Sequence, residues 1–310
     1  MKALIIGGSG FVGKHLAVHL KTERQWEVAI TKLPQKTTSQ DFLHFDLDIL
    51  DEAAVQKLLE TYRPEVIFHL AAQSSVAFSW KNPQKTVEIN ILGSLRLLEA
   101  IRKIEHYTPR ILCIGSAEEY GVPSGELPVR EIDSIHPNNP YAITKATQNF
   151  FGTLYAKAYD MDIILVRAFN HFGPGQLPQF VLADFCRQVA AIMLGKREPK
   201  MEVGNLTVAR DFTDVRDVVR AYGMLAISGR KGETYNVGSG RAIRLEELLK
   251  RIIAFSGREI TVTVDPKRLR KTEVPIIRAD IQKLQADTGW SPRYAIDTTL
   301  RDTLNDWLEQ

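Results

Sequence analysis

Two short stretches hold side chains that can move a proton. "CIGSAEEYG", Cys113 to Gly121, ends an apolar run with Ser116, Glu118, Glu119 and Tyr120. "NNPYAITKA", Asn138 to Ala146, sets Tyr141 and Lys145 four residues apart, a spacing that puts both on one side of a helix. A phenol ordinarily titrates near about 10. An ammonium beside it favours the phenolate and makes tyrosine a usable acid or base. Ser116, closing a strand at the same edge, can hydrogen-bond the reacting oxygen. Glu118 is a candidate second acid or base, while Glu119 is expected to point the other way, solvated or capping.

For these groups to meet, the chain must form a sheet edge. "KALIIG", "WEVAIT", "DFLHFDL", "EVIFHLA", "RILCIGS" and "DIILVRAF" read as buried parallel strands. Between them "FVGKHLAVHLKTE", "DEAAVQKLLETY", "VEINILGSLRLLEAIRKI" and "YAITKATQNFFGTLYAKAY" have helical apolar spacing. Strict alternation implies right-handed crossovers and an α/β fold, a doubly wound parallel (Rossmann) sheet with ligands beyond the carboxyl ends of its strands. After Phe169 the Gly- and Pro-rich "HFGPGQLPQ" opens a region of shorter, mixed elements, read as a smaller C-terminal substrate-binding domain. "RDFTDVRDVVRAYGML" and "ETYNVGS" are expected to return one helix and one strand to the first domain. The division is then 1–168 plus about 213–240 for the first domain, and about 169–212 plus 241–310 for the second.

"IIGGSGFVGKHL" places Gly7, Gly10 and Gly13 at the first strand–helix junction, with Phe11 and Val12 in the same turn. Gly-x-x-Gly-x-x-Gly is a variant of the dinucleotide fingerprint. It permits a tight turn and close approach of a pyrophosphate to a helix N-terminus. The second strand ends "VAITKLPQK", with Thr31 and Lys32 where an NAD site usually carries an acid. A hydroxyl and a cation there favour NADP(H), with NAD(H) the alternative. Asp48 and Ile49 are candidate adenine contacts, and Leu70, Ala71 and Ala72 are small enough to let a cofactor pass closely.

With these motifs in family order, the chain resembles the extended short-chain dehydrogenases/reductases acting on nucleotide-sugars, over essentially its full length. "GGSGFVG", "DLDILD", "HLAAQSSV", "EINILGS", "GSAEEYG", "YAITK", "RAFNHFGPGQ" and "VARDFTDVRD" carry the resemblance. It implies Ser116, Tyr141 and Lys145 as catalytic, with Asn90 as a helix-borne support. "FNHFGPGQ", "VGNLTVARDF" and "LRKTEVP" are most similar to the branch handling GDP-6-deoxyhexoses, that of GDP-4-keto-6-deoxy-D-mannose reductases and GDP-mannose 4,6-dehydratases. The resemblance further implies Asn170 near the pyrophosphate or sugar, Arg210 and Arg270 on phosphate oxygens and Glu273 on a ribose hydroxyl. Arginine's planar fork suits two oxygens, although Lys271 stands where the branch usually has proline.

A reductase needs one hydride and one proton donor, so Tyr141, Lys145 and Ser116 suffice. A dehydratase also needs an acid/base for C5 and C6, the role implied for Glu118. Two departures favour the reductase: Gly10-Phe11-Val12-Gly13 replaces the dehydratases' Gly-Gln-Asp-Gly, and their extra cofactor loop has no counterpart. The product would be a GDP-6-deoxyhexose such as GDP-D-rhamnose, a precursor for polysaccharide biosynthesis. Alternatives are the dehydratase, another nucleotide-sugar 4-epimerase or 4-reductase, and a non-catalytic dinucleotide-binding sensor.

Composition agrees with a globular enzyme: 310 residues, 44% hydrophobic, 25% charged, formal charge +3. That charge is too small for a dedicated nucleic-acid binder. Two distant cysteines exclude a disulfide framework or zinc finger. The run Ala3 to Ile6 is too short for a signal peptide, and no stretch reaches membrane-span length, so a cytoplasmic location and no membrane partner are expected. His15 and His19 have a zinc-compatible spacing but no third ligand, so no metal is expected. His171 is either a cleft residue or a satisfied buried histidine. The resemblance implies a homodimer through the helices "VEINILGSLRLLEAIRKI" and "YAITKATQNFFGTLYAKAY".

Overall fold

The computed structural model describes residues 1–35, 41–123, 128–269 and 272–310. The first half alternates strand and helix: β1 (Lys2–Ile6), α1 (Phe11–Thr22), β2 (Glu27–Lys32), β3 (Leu43–Asp46), α2 (Glu52–Tyr62) and β4 (Val66–His69). Two short helices follow, α3 (Val76–Lys81) and α4 (Pro83–Val87), then α5 (Gly93–Lys103), β5 (Arg110–Ser116), α6 (Pro140–Ala158) and β6 (Ile163–Ala168). The second half comprises β7 (Asn170–Phe172), α7 (Val181–Met193), β8 (Lys200–Val203), β9 (Ala209–Asp214), α8 (Val215–Ser228) and β10 (Thr234–Val237). It ends with β11 (Ala242–Arg244), α9 (Leu245–Ser256), β12 (Thr261–Val264), α10 (Gln282–Thr288) and α11 (Ile296–Leu308).

Seven strands form one parallel sheet in the order β10-β6-β5-β4-β1-β2-β3. The strand order reverses direction between β1 and β4, which opens a crevice at their carboxyl ends. One face of the sheet buries α1 and α8, with Leu16, Leu20, Val218 and Tyr222 against Ile5 and Phe68. The other buries α2, α5 and α6, with Leu59, Leu97, Ile101 and Tyr155 against Leu4 and Ile67. Burial on both faces is why β1, β2, β4, β5 and β6 are largely apolar runs, whereas β3, read from sequence as buried, is a mostly exposed edge strand because only one neighbour covers it. From later in the chain, β10 joins this sheet and α8 packs on its face.

Beyond it lie a three-stranded sheet, β11-β9-β7, and a two-stranded one, β12-β8, around a separate core of α7, α9 and α11. The segment read as one helix from Val87 to Ile104 is interrupted by a π-helical turn, Glu88–Leu92. Among the described residues, no helix is long and apolar enough to cross a membrane. Cys113 and Cys186 are buried and unbridged.

Candidate active site

The proton-moving groups converge where β5 ends. Ser116 is the last residue of β5, and Ala117–Tyr120 form a 3-10 turn closed by a capping box. The Ser116 hydroxyl accepts from Glu118 N–H at 3.2 Å, and the Glu119 carboxylate accepts from Ser116 N–H at 2.8 Å. A 3-10 turn rotates each residue by a third of a turn, so adjacent glutamates diverge. Glu119 enters the core and is capping, as one of the two expected roles had it; the solvated alternative is wrong, because the residue is fully buried. Glu118 stays part-buried, its Oε2 accepting from Asn139 Nδ2 at 2.9 Å.

Asn139 does double duty. Its Oδ1 caps α6 by accepting from Ala142 N–H at 2.9 Å, and Pro140 follows at the first helical position. This start sets the rotation of α6 and with it the direction of Tyr141 and Lys145. Tyr141 is buried, its N–H donates to Ser79 Oγ at 3.2 Å, and its hydroxyl lies near enough to Ser116 for that side chain to lower its pKa. Burial holds the Tyr141 phenol above its ordinary pKa, Ser116 pulls it down, and the nearby Glu118 and Glu119 charges push it up. The phenol is therefore in its proton-donating form at neutral pH.

Lys145 is buried with Nζ donating to Ile114 O at 2.7 Å and Gln148 Oε1 at 3.0 Å. Burial lowers its pKa to about 8, against an upward pull from Glu119 and from Cys113. Asn90 sits in the π-helical turn, an irregularity often found at functional sites. It is fully buried, donating to Gln73 O at 3.0 Å and Thr144 Oγ1 at 2.9 Å, and accepting from Gln73 N–H at 2.8 Å. It thereby ties the loop after β4 to α6. That loop, α3 and Gln179 line a cavity of about 350 Å³, with Gln73, Phe78 and Lys81 on its wall.

The glycine turn fits a dinucleotide. Gly10 is the N-cap of α1, and no side chain caps that end, so first-turn amides remain for an anion. A Cβ on Gly10 would meet only Gly7 O, at 3.2 Å. At Gly7 and Gly13 the fold itself requires glycine. Gly7 has φ +87°, and a Cβ on it would lie 2.8 Å from Ala71 N; a Cβ on Gly13 would lie 2.5 Å from Gly8 Cα. Phe11 stacks on His171 at 6.4 Å, and Val12 packs against the α1/α8 core.

Other sequence-predicted residues divide. Thr31 does not present its hydroxyl to a ribose: it is buried and accepts from Gly7 N–H at 2.9 Å, bracing the turn. Lys32 pairs with Asp46 on the neighbouring strand. Asp48 is exposed, whereas the Ile49 side chain is core, against Gly93. Leu70, Ala71 and Ala72 are partly buried beside the glycine turn. Asn170, on β7, is exposed opposite Phe212; Arg210 is buried on β9, donating to Ala209 O at 2.9 Å. Glu273 accepts from Asn205 on a segment that bridges to Ala209. Arg270 lies outside the described residues. His15 bonds Pro174 O, His19 pairs with Glu23, and no group of three or more metal-type ligands occurs among the described residues. His171 is bonded to Phe169 O through Nδ1.

Two residues escaped the sequence reading. Asn139 precedes Pro140, a helix-start signal that gives no hint that it also holds Glu118. Gly8, whose Cβ would lie 2.5 Å from Ile30 Cβ, gave no signal beyond adjoining Gly7.

Residues 4–303 match the sequence model of the family described as GDP-mannose 4,6 dehydratase. The chain belongs to that family. Among curated relatives, GDP-6-deoxy-D-mannose reductase of Pseudomonas aeruginosa is 34% identical over 99% of this chain and 97% of its own length. GDP-mannose 4,6-dehydratase of Yersinia enterocolitica is 28% identical over 100% of this chain and 94% of its own. Among solved structures, the RMD protein of Pseudomonas aeruginosa complexed with NADPH superposes with TM-score 0.88 at 33% identity, covering 100% and 99% of the two chains. A Thermus thermophilus UDP-glucose 4-epimerase complexed with NAD gives 0.87 at 28%, covering 99% of both. Proteins named for different reactions thus share this fold.

Proposed function

We propose that the chain reduces the 4-keto group of GDP-4-keto-6-deoxy-D-mannose with NADPH, giving a GDP-6-deoxyhexose such as GDP-D-rhamnose. The observation that carries this reading is the convergence of Ser116, Tyr141 and Lys145 at the carboxyl end of β5, in a chain alike end to end with a GDP-6-deoxy-D-mannose reductase. When bound, NADPH supplies the hydride to C4. Tyr141 donates its phenolic proton to the carbonyl oxygen, and Ser116 hydrogen-bonds the same oxygen, completing ketone plus hydride plus proton to alcohol. Lys145, as a cation, stabilises the phenolate left on Tyr141.

The cofactor would be held by Gly7, Gly10, Phe11, Val12 and Gly13 at the pyrophosphate, by Lys32 and Asp48 at the adenosine end, and by Leu70, Ala71 and Ala72 along its length. Lys32 favours NADPH over NADH. Asn170, Arg210, Arg270 and Glu273 would hold the nucleotide-sugar. On this reading, residues 1–168 plus about 213–240 bind cofactor, and the remainder binds substrate. Val87, Leu92, Ile143, Phe150 and Leu154, exposed on α4, the π-helical turn and α6, form the dimer face.

Glu118 supports a second reading, the 4,6-dehydratase, because its carboxylate, held by Asn139, lies near enough to Tyr141 for its charge to raise the phenol's pKa. Paired assays decide between them. The 4-keto sugar with NADPH tests reduction, and GDP-mannose with NADP⁺ tests for the 4-keto-6-deoxy product. Activity only in the second overturns the reductase reading.

A further inference from the structure

Glu119 takes part in no step above, yet it is the most enclosed carboxylate near the reacting groups. Donors converge on its two oxygens: Ser116 N–H at 2.8 Å, Asn149 Nδ2 at 2.8 Å to each, and Arg167 Nε at 3.2 Å. All of these contacts are donations to the carboxyl, which favour its charged form, while burial pushes its pKa upward against them. Gly115 leaves room for it: a Cβ there would lie 2.3 Å from Glu119 Oε1 and 2.4 Å from Asn149 Nδ2.

Behind Glu119 the network continues. Arg167 donates to the Tyr120 hydroxyl and to Glu131 O, each at 3.0 Å. The Tyr120 hydroxyl donates to Asn236 Oδ1 at 2.7 Å, and Asn236 Nδ2 donates to Val129 O at 3.0 Å. One buried chain of hydrogen bonds therefore runs from the end of β5 through β6 to β10 and the segment around Val129.

We propose that Glu119, backed by Arg167, is a positioning residue for the reaction: it fixes the backbone of Ser116, and through the turn that follows fixes the directions of Ser116 Oγ and Glu118. This rests on the reductase reading. Glu119 also acts at a distance, because its charge raises the pKa of Lys145 against burial. The charged and titratable groups around it are Glu118 and Tyr120 on its own turn, Arg167 on β6, Cys113 on β5, Tyr141 and Lys145 on α6, and Glu131.

The test is Glu119→Gln, which keeps the volume but turns a donor towards donors. Reduction of the 4-keto sugar should fall in kcat on the order of tenfold to a hundredfold, with KM and NADPH affinity nearly unchanged. Two measurements without substrate accompany it: hydrogen exchange at the Ser116 amide and NMR titration of Lys145. The amide should exchange faster, and the Lys145 midpoint should move below its wild-type position. Glu119→Asp should restore that midpoint. If the glutamine variant does not fold, Glu119→Leu with Arg167→Met removes both buried charges together and carries the same predictions. Wild-type kcat, wild-type amide protection and an unmoved midpoint overturn the proposal. A wild-type chain that reduces no ketosugar removes the reductase reading, while the two substrate-free measurements still decide the role of Glu119.

Discussion

Alanine at Gly10 and at Gly13 separates what the glycine turn does for a cofactor from what it does for the fold. Gly10 has φ −75° and ψ 175°, open to any residue, and an added methyl meets only Gly7 O at 3.2 Å. Its cost to the fold is that of an alanine N-cap, about 0.5–1 kcal/mol. The same methyl would stand where a pyrophosphate must approach the amides. Losing one charge-assisted hydrogen bond there costs about 1.5–3 kcal/mol, or roughly tenfold to a hundredfold in Kd. Gly13 is the reverse case. Alanine in a helix interior gains about 1 kcal/mol in propensity. The methyl, however, lies 2.5 Å from Gly8 Cα and 2.7 Å from Gly7 O and Gly8 C, backbone atoms that cannot rotate away. That overpacking costs about 1–3 kcal/mol or more and exceeds the gain. Thermal melts with and without NADPH, joined to titration calorimetry, read both effects. Gly10→Ala should melt close to wild type but lose most of the NADPH-induced rise, whereas Gly13→Ala should melt lower even without NADPH. NADPH binding to Gly10→Ala within about twofold of wild type would refute the assignment of the turn.

Tyr141→Phe should lower kcat about a hundredfold or more while NADPH still binds, checked by turnover and fluorescence titration. Glu118→Gln should keep most ketosugar reduction, whereas a dehydratase would lose turnover. Lys145 titrates at about 8 in the folded chain, below the roughly 10.4 of an unfolded one, so the unfolded state binds a proton first as pH falls. Its contribution to stability should therefore fall by up to ~3 kcal/mol between about pH 10.4 and 8 and stay flat below, read as the pH-dependent difference in denaturant midpoint from Lys145→Met. Phe150→Glu, at an exposed α6 position, should convert a dimer to a monomer in sedimentation.

The parallel sheet was legible because its strands are buried on both faces and so stand out as apolar runs between amphipathic helices. Ser116 and Tyr141 were legible because each lies at an element boundary marked in sequence, the end of "RILCIGS" and the Asn-Pro start of α6, and Lys145 because it stands four residues after Tyr141 on the same helix. Beyond Phe169, β7, β8, β11 and β12 have three or four residues each, too few for a period to show. The break at Asn90 was also hidden, since a π-helical turn inserts one residue without disturbing the apolar count. Thr31 was misread because a hydroxyl at a strand end gives no sign of which way it turns; the glycine turn, tucked over β2, takes it. Glu119 depended on Arg167, 48 residues away in an apolar strand, a partner that spacing does not reveal.

The most direct measurement is nicotinamide absorbance during incubation of the pure chain with NADPH and GDP-4-keto-6-deoxy-D-mannose. The account predicts loss of NADPH in step with appearance of a GDP-6-deoxyhexose, abolished in Tyr141→Phe. NADPH that binds but persists in the presence of the ketosugar would contradict it.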